Sequence, residues 1–324
     1  MGNMMQYAML PACQLLITIG KKEREPVFRR RSNYRYIGLL YVLPWILGLL
    51  VFQLYPFIAS FYYSLTDYNM VNPPKYIGLD NYKQIFTADP GFTKSLSVTS
   101  IYVILAVPVK LAFALFIALI LSAKLKGINL FRTVYYLPSI LGGSVAISVL
   151  WRFLFMKEGV VNSLLANFGI SPVDWLGNPD IALYTLGLLS VWQFGSSMVL
   201  FLAGIQQIPG DLYEAGAIDG ASKTRMFFRI TVPLLTPIVL FNLVMQMVNA
   251  FQEFTGAFVI TNGGPMKSTY LYALKLYEEA FTFFRMGYAS ALSWVLFAII
   301  MIVTGIIFKT SNRWVYYEDG GKSK

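Results

Sequence analysis

Six apolar stretches, each long enough to cross a hydrocarbon core of roughly 30 Å as a helix, constrain this chain more than any other feature. They run from about Ile37 to Leu65, Ser95 to Ala123, Phe131 to Phe155, Ala182 to Ile208, Leu234 to Ile260 and Met286 to Phe308. Hydrocarbon offers no partner to a bare N–H or C=O, so each stretch is expected to be helical, and the fold class is an all-α membrane protein with six transmembrane helices. Pro44, Pro56, Pro108 and Pro138 fall inside these stretches, which helices packed against neighbours tolerate. With 56% of its residues hydrophobic and 13% charged, the chain lacks the polar surface a soluble protein of 324 residues needs.

The charges set an orientation. If the N-terminus is cytoplasmic, 17 of the 26 basic residues fall on inner segments: Lys21 to Arg35, Lys124 to Arg132, Lys223 to Arg229, and Lys309 to Lys324. Both termini are therefore expected in the cytoplasm of a bacterial inner membrane. The net charge of +10 forms no continuous basic face, so no nucleic-acid partner is expected. Residues 1–36 read as a cytoplasmic or interfacial segment, 37–309 as the transmembrane domain and 310–324 as a cytoplasmic tail. Ala8 to Gly20 is too short to span and is read as an interfacial helix, and Asp67 to Lys94 as an irregular turn-rich connection. With no histidine and one cysteine, Cys13, the chain offers no Cys/His metal site and no Ser-His-Asp triad. It is not expected to be an enzyme, and no metal or cofactor is expected on it.

One cytoplasmic loop, Asp211 to Pro237, is unusually rich in signals. Asp211 and Glu214 have the spacing of a capping box, Gly220 stands where a short helix would end in a left-handed residue, and Ser222 is placed to cap a second helix running toward the membrane. Ala215, Gly216, Ala217, Gly220 and Ala221 leave the surface almost bare, open to close approach by another protein. A plain helical hairpin would show the same caps.

The order of residues carries more. Glu214-Ala215, Asp219-Gly220-Ala221, then Ile230 and Pro233 resemble the EAA loop of ABC importer permeases, in the variant of the maltose, glycerol-3-phosphate and multiple-sugar branch. Gly216 departs from the alanine usual there and should loosen the helix by up to about 1 kcal/mol. Phe131-Arg132-Thr133 with Leu137-Pro138, Trp175-Leu176-Gly177, Leu202-Ala203-Gly204 with Ile208-Pro209, and Thr261-Asn262-Gly263-Gly264-Pro265 resemble the same branch in the same order. The resemblance implies a type I ABC importer permease fold whose loop is a coupling helix seated on a cytoplasmic ATPase. It also implies a second homologous permease, two copies of the ATPase carrying ATP and magnesium, and an extracytoplasmic solute-binding protein delivering a sugar or oligosaccharide. No G-x-x-x-x-G-K-[ST] run occurs in this chain, so nucleotide binding belongs to the partner.

Within the fifth stretch Asn242, Gln246, Asn249 and Glu253 follow helical spacing and define one polar stripe, either a translocation path or a hydrogen-bonded seam between helices. Lys110 lies near the middle of the second stretch, where a lysine is costly. It either pairs with Glu253 or with a carboxylate of the partner permease, or attracts an anionic sugar, such as a uronate oligosaccharide of the alginate kind or a sugar phosphate. Trp192 beside Gln193 is placed either to stack on a sugar ring or to pack in the core. An ion-coupled carrier or channel is the alternative class, but it would be expected to show paired intramembrane acids, and Glu253 is nearly alone.

Overall fold

The computed structural model describes residues 31–123 and 127–316. The Ala8 to Gly20 stretch, Lys21 to Arg30, Lys124, Lys126, Lys322 and Lys324 lie outside the described residues. The chain divides into two units, residues 1–59 and 60–324. In the first, α1 (Arg31–Leu49) widens into a π turn (Leu50–Leu54) and continues as α2 (Tyr55–Ser64), which carries the chain into the second unit. The π turn ends two residues before Pro56, which has no N–H to give the carbonyl four residues back.

The second unit opens with a two-residue ladder, β1 (Thr66–Asp67) against β2 (Lys75–Tyr76), antiparallel with Thr66 opposite Tyr76. α3 (Asp80–Thr87) follows. This connection is more ordered than its sequence predicts, because the buried Asn81 donates to Ser64 O at 2.9 Å and to Thr66 O at 3.0 Å.

α4 (Pro90–Leu121) is the axis of the unit, and Asp89 caps it by accepting from Gly91 N and Phe92 N. Its buried residues recur every three or four positions, including Val98, Tyr102, Ala106, Lys110, Ala114 and Leu121, and so form the stripe against which later helices pack. Ile104, Val109, Phe116 and Ile120 on the other side are exposed, as lipid-facing residues should be.

Two of the predicted spans prove to be broken. α5 (Ile128–Leu141) meets α6 (Val145–Phe155) and α7 (Val160–Ala166) at a bend of 98°. α8 (Pro179–Trp192) meets α9 (Gly195–Gln207) at 46°. The first break falls at Gly142-Gly143-Ser144, where Ser144 restarts the helix by accepting from Ile147 N. Among the described residues four helices are thus long and apolar enough to cross a membrane, or six if each bent pair is one span.

After α9 come α10 (Gly210–Ile218) and α11 (Lys223–Met226), then a π turn (Phe227–Thr231) that, like the first, ends two residues before a proline, Pro233. α12 (Val232–Phe251) completes this span, which stops nine residues short of the predicted Ile260. A further π turn (Ala257–Thr261), α13 (Tyr272–Tyr277) with a π turn (Glu278–Thr282), and α14 (Met286–Ser311) follow. The core lies where α4 packs against α8, α9, α12 and α13.

Candidate functional site

The two helix breaks face each other. Gln193, the residue that caps the end of α8, donates from Nε2 to Gly142 O at 2.8 Å, while Ser139 donates to Gln193 O at 3.0 Å and accepts from Ser196 N at 3.0 Å. A side chain at position 142 would place Cβ 2.2 Å from Gln193 Cγ, so this junction requires glycine.

Beside the junction opens a polar cleft of about 260 Å³. α4 gives it Tyr102 and Lys110, the broken spans give Ser139, Gly143, Ser190, Gln193 and Ser196, and α12 gives Gln246 and Asn249, with Glu253 beyond its end. A narrower pocket of about 50 Å³ shares Tyr102, Gly143, Ser190, Gln193 and Glu253 and adds Ser148 and Thr255. The slightly larger groove between α4 and α8, about 290 Å³, is walled by Leu105, Val109, Leu183 and Leu188 and offers almost nothing to orient a polar solute.

The structure brings Lys110, Gln193, Gln246, Asn249 and Glu253 to one surface, and separates two other residues from it. Asn242 is fully buried, donates to Ile238 O of its own helix at 3.2 Å and does not line the cleft. Trp192 turns away, its ring 6.0 Å from that of Trp151, which favours packing over sugar stacking. The four-residue stripe on the fifth span fails at its last member. α12 ends at Phe251, and Glu253 Oε1 accepts from Gly256 N at 2.8 Å, capping the turn that follows. Of the pairings expected for Lys110, the one with Glu253 is not formed: both face the cleft, but no N–O contact of 4.0 Å or less joins them, and Glu253 acts on Lys110 from a distance. Sequence reasoning missed Tyr102, Ser139, Ser190 and Ser196. Gly142-Gly143-Ser144 and Gly195-Ser196-Ser197, two small-residue interruptions in apolar runs, were the available signal.

The loop after α9 is a helix, a sharp turn and a helix. α10 begins after Pro209 rather than at Asp211, so the capping box is not formed. Pro209 is extended (ψ 132°) and is the last residue outside the helix, which puts Asp211 inside the first turn, where its charge meets the N-terminal dipole. The other end follows the sequence: Gly220 has φ +73°, its N–H donates to Ala217 O and that of Ala221 to Gly216 O, a Schellman closure. Ser222 caps α11 by accepting from Arg225 N.

Glu214, Ala215, Ala217 and Asp219 are exposed, and Ile218 is 87% exposed. Gly216 faces inward, where an added Cβ would lie 3.3 Å from Met226 Sδ and 3.5 Å from Ile230 Cδ1. Here glycine serves packing. Pro233 opens α12, and the Tyr213 and Thr231 hydroxyls hydrogen-bond at 2.8 Å, tying α10 to the foot of that helix.

Broken spans around a polar cleft, with a nearly bare helix at one end, define a membrane permease. Residues 85–316 match the binding-protein-dependent transport system inner membrane components, and the chain belongs to that family. A probable ABC transporter permease protein, YesP, of Bacillus subtilis (strain 168) is 51% identical over 284 residues, 87% of this chain and 92% of that one. The arabinooligosaccharides transport system permease protein AraP of the same organism is 32% identical over 280 residues, 84% of this chain and 88% of its own length. A bacterial ABC transporter involved in the import of the acidic polysaccharide alginate contains a chain with TM-score 0.75 and 21% identity, covering 87% of this chain and 96% of that one. This last likeness is one of fold, the type I ABC importer permease fold.

Proposed function

We propose that this chain is one of two permease subunits of an ATP-driven importer for a sugar or oligosaccharide, and that cytoplasmic ATPases move it through α10. The observation that carries the reading is the continuity of α9. It starts at the polar cleft, at Gly195, and only Ile208 and Pro209 separate its end from the exposed α10. Amides and hydroxyls in the cleft suit a solute made of hydroxyl groups, and the arabinooligosaccharide permease among the relatives supports a saccharide. α10 has a small-residue surface on which a partner's backbone can come close, and Glu214 and Ile218 stand out from it. ATP and magnesium belong to the ATPases, two copies of which the reading requires. α10 and both termini are then cytoplasmic, and a solute-binding protein meets the opposite end.

The test is to purify the chain from its native membrane and reconstitute what accompanies it. A co-purifying ATPase and second permease, with ATP-dependent uptake of a labelled trisaccharide that Glu214→Trp and Gly220→Leu abolish, support the proposal. Uptake unchanged by both substitutions removes the role of α10. A pure homo-oligomer that transports without ATP replaces the importer with an ion-coupled carrier.

A further inference from the structure

We propose that the cleft selects saccharides carrying single carboxylates, that is, uronate units, and that the Lys110 ammonium is the group that reads them. The inference rests on the saccharide-permease reading and adds to it the charge of the substrate. Lys110 sits on the buried stripe of α4 with only 8% of its surface exposed, yet its side chain reaches the cleft wall. Among the described residues it makes no hydrogen bond and no ion pair within 4.0 Å. The same protein shows how it settles a buried lysine when the role is structural. Lys275, also buried, is clasped by Asp89 at 2.8 Å and by Glu279 at 3.1 Å. Lys110 has the burial without the clasp: Glu253 acts on it only from a distance, and no carboxylate among the described residues closes on its ammonium, which leaves it free to take one from a solute.

The rest of the lining defines what that counter-charge is attached to. Gln246 and Asn249 offer amides, Gln193 the part of its amide not held by Gly142, and Ser190 and Tyr102 hydroxyls, a set matched to sugar hydroxyls in either donor or acceptor sense. Glu253 faces the same space with one oxygen held by Gly256 N–H, so it can accept a hydroxyl but repels added negative charge. One ammonium can meet one single-charge group at a time, which suits the one carboxylate that each uronate ring presents. A phosphate near its second ionisation would instead set close to two charges at a single point, beside Glu253.

Proteoliposomes holding the complete transporter with its binding protein provide the test, using labelled trigalacturonate and maltotriose as probes. Wild type should import trigalacturonate in preference to maltotriose. Lys110→Gln should lose trigalacturonate uptake by about tenfold or more through KM, as loss of one charge-assisted contact predicts, and Lys110→Arg should recover part of it. The exposed control Lys83→Gln, at a residue that does not line the cleft, should change nothing. Import of maltotriose with trigalacturonate excluded overturns the inference and leaves the importer standing. Import of neither probe nor of any other saccharide overturns the importer itself. Wild-type trigalacturonate uptake by Lys110→Gln, or a Lys110→Gln chain that no longer co-purifies with the second permease, would assign the lysine elsewhere and end the proposal.

Discussion

The two ends of the second unit are built on opposite principles. At the α10 end the contacts are few and local: a hydroxyl pair between Tyr213 and Thr231, Gly216 fitted against Met226 and Ile230, and a Schellman turn, with most of the surface exposed. At the other end most contacts are buried, and those made by Asp89 and Thr99 join residues far apart in sequence. Lys275 bridges Asp89 and Glu279, Arg285 pairs with Glu279 at 3.1 Å, and Tyr288 donates to Asp89 at 2.6 Å. Tyr272 adds two donor bonds, from its hydroxyl to Leu292 O and from its backbone N–H to Thr99 Oγ1. Asp89 is also the cap of α4, so the clamp fixes the start of the central helix to α13 and α14. One end is anchored, and the other is free to be gripped and moved.

That contrast predicts a gradient of effects. Lys275→Met strands two buried carboxylates and should destabilise the protein by about 3–5 kcal/mol, read as thermal unfolding in detergent; a loss under about 1 kcal/mol would deny the clamp its anchoring role. Gly216→Leu drives a side chain into Met226 and Ile230 and should cost about 1–3 kcal/mol by overpacking, which would show the free end to have a packed root. Acid should act on the anchored end. Burial raises the Asp89 pKa, but bonds from Lys275 and Tyr288 outweigh it and hold the group below 3.8. Its stabilisation is therefore complete above the unfolded value and lost as pH falls through the lower folded one. Asp89→Asn should flatten that acid limb of the melting temperature against pH. Smallest on stability is Ile218→Ser, expected within about 0.5 kcal/mol of wild type because the side chain is exposed, while capture of the ATPase in co-purification falls. A large stability change there would mean α10 is held by this chain rather than offered to another.

The same contrast explains what the sequence disclosed. Span composition is a local property, so the apolar runs located the helices, and the left-handed Gly220 and the Ser222 cap could be read from a few adjacent residues. Contacts over long separations left no such trace. Lys275 reads as an ordinary loop charge until Asp89 is brought to it, and Gln193 reads as a mid-span amide until it meets Gly142, 51 residues away. The polar stripe on α12 assumed that helical spacing continued past Phe251, whereas Glu253 found a nearer donor in Gly256. The capping box assumed that a good cap outcompetes its neighbours, but Pro209 holds the preceding residue outside the helix and moves Asp211 inward.

α9 has 13 residues, a rod of about 20 Å. Its near end is pinned at the cleft by the Ser139 bond to Ser196, and its far end turns directly into α10. Only Ile208 and Pro209 intervene, so under the proposed coupling α9 would work as a pushrod: displacement imposed on α10 would reach the seam between the broken spans with little slack. A cleft that must open and close once per cycle would then be timed by the stroke of that rod rather than by diffusion of the saccharide within it.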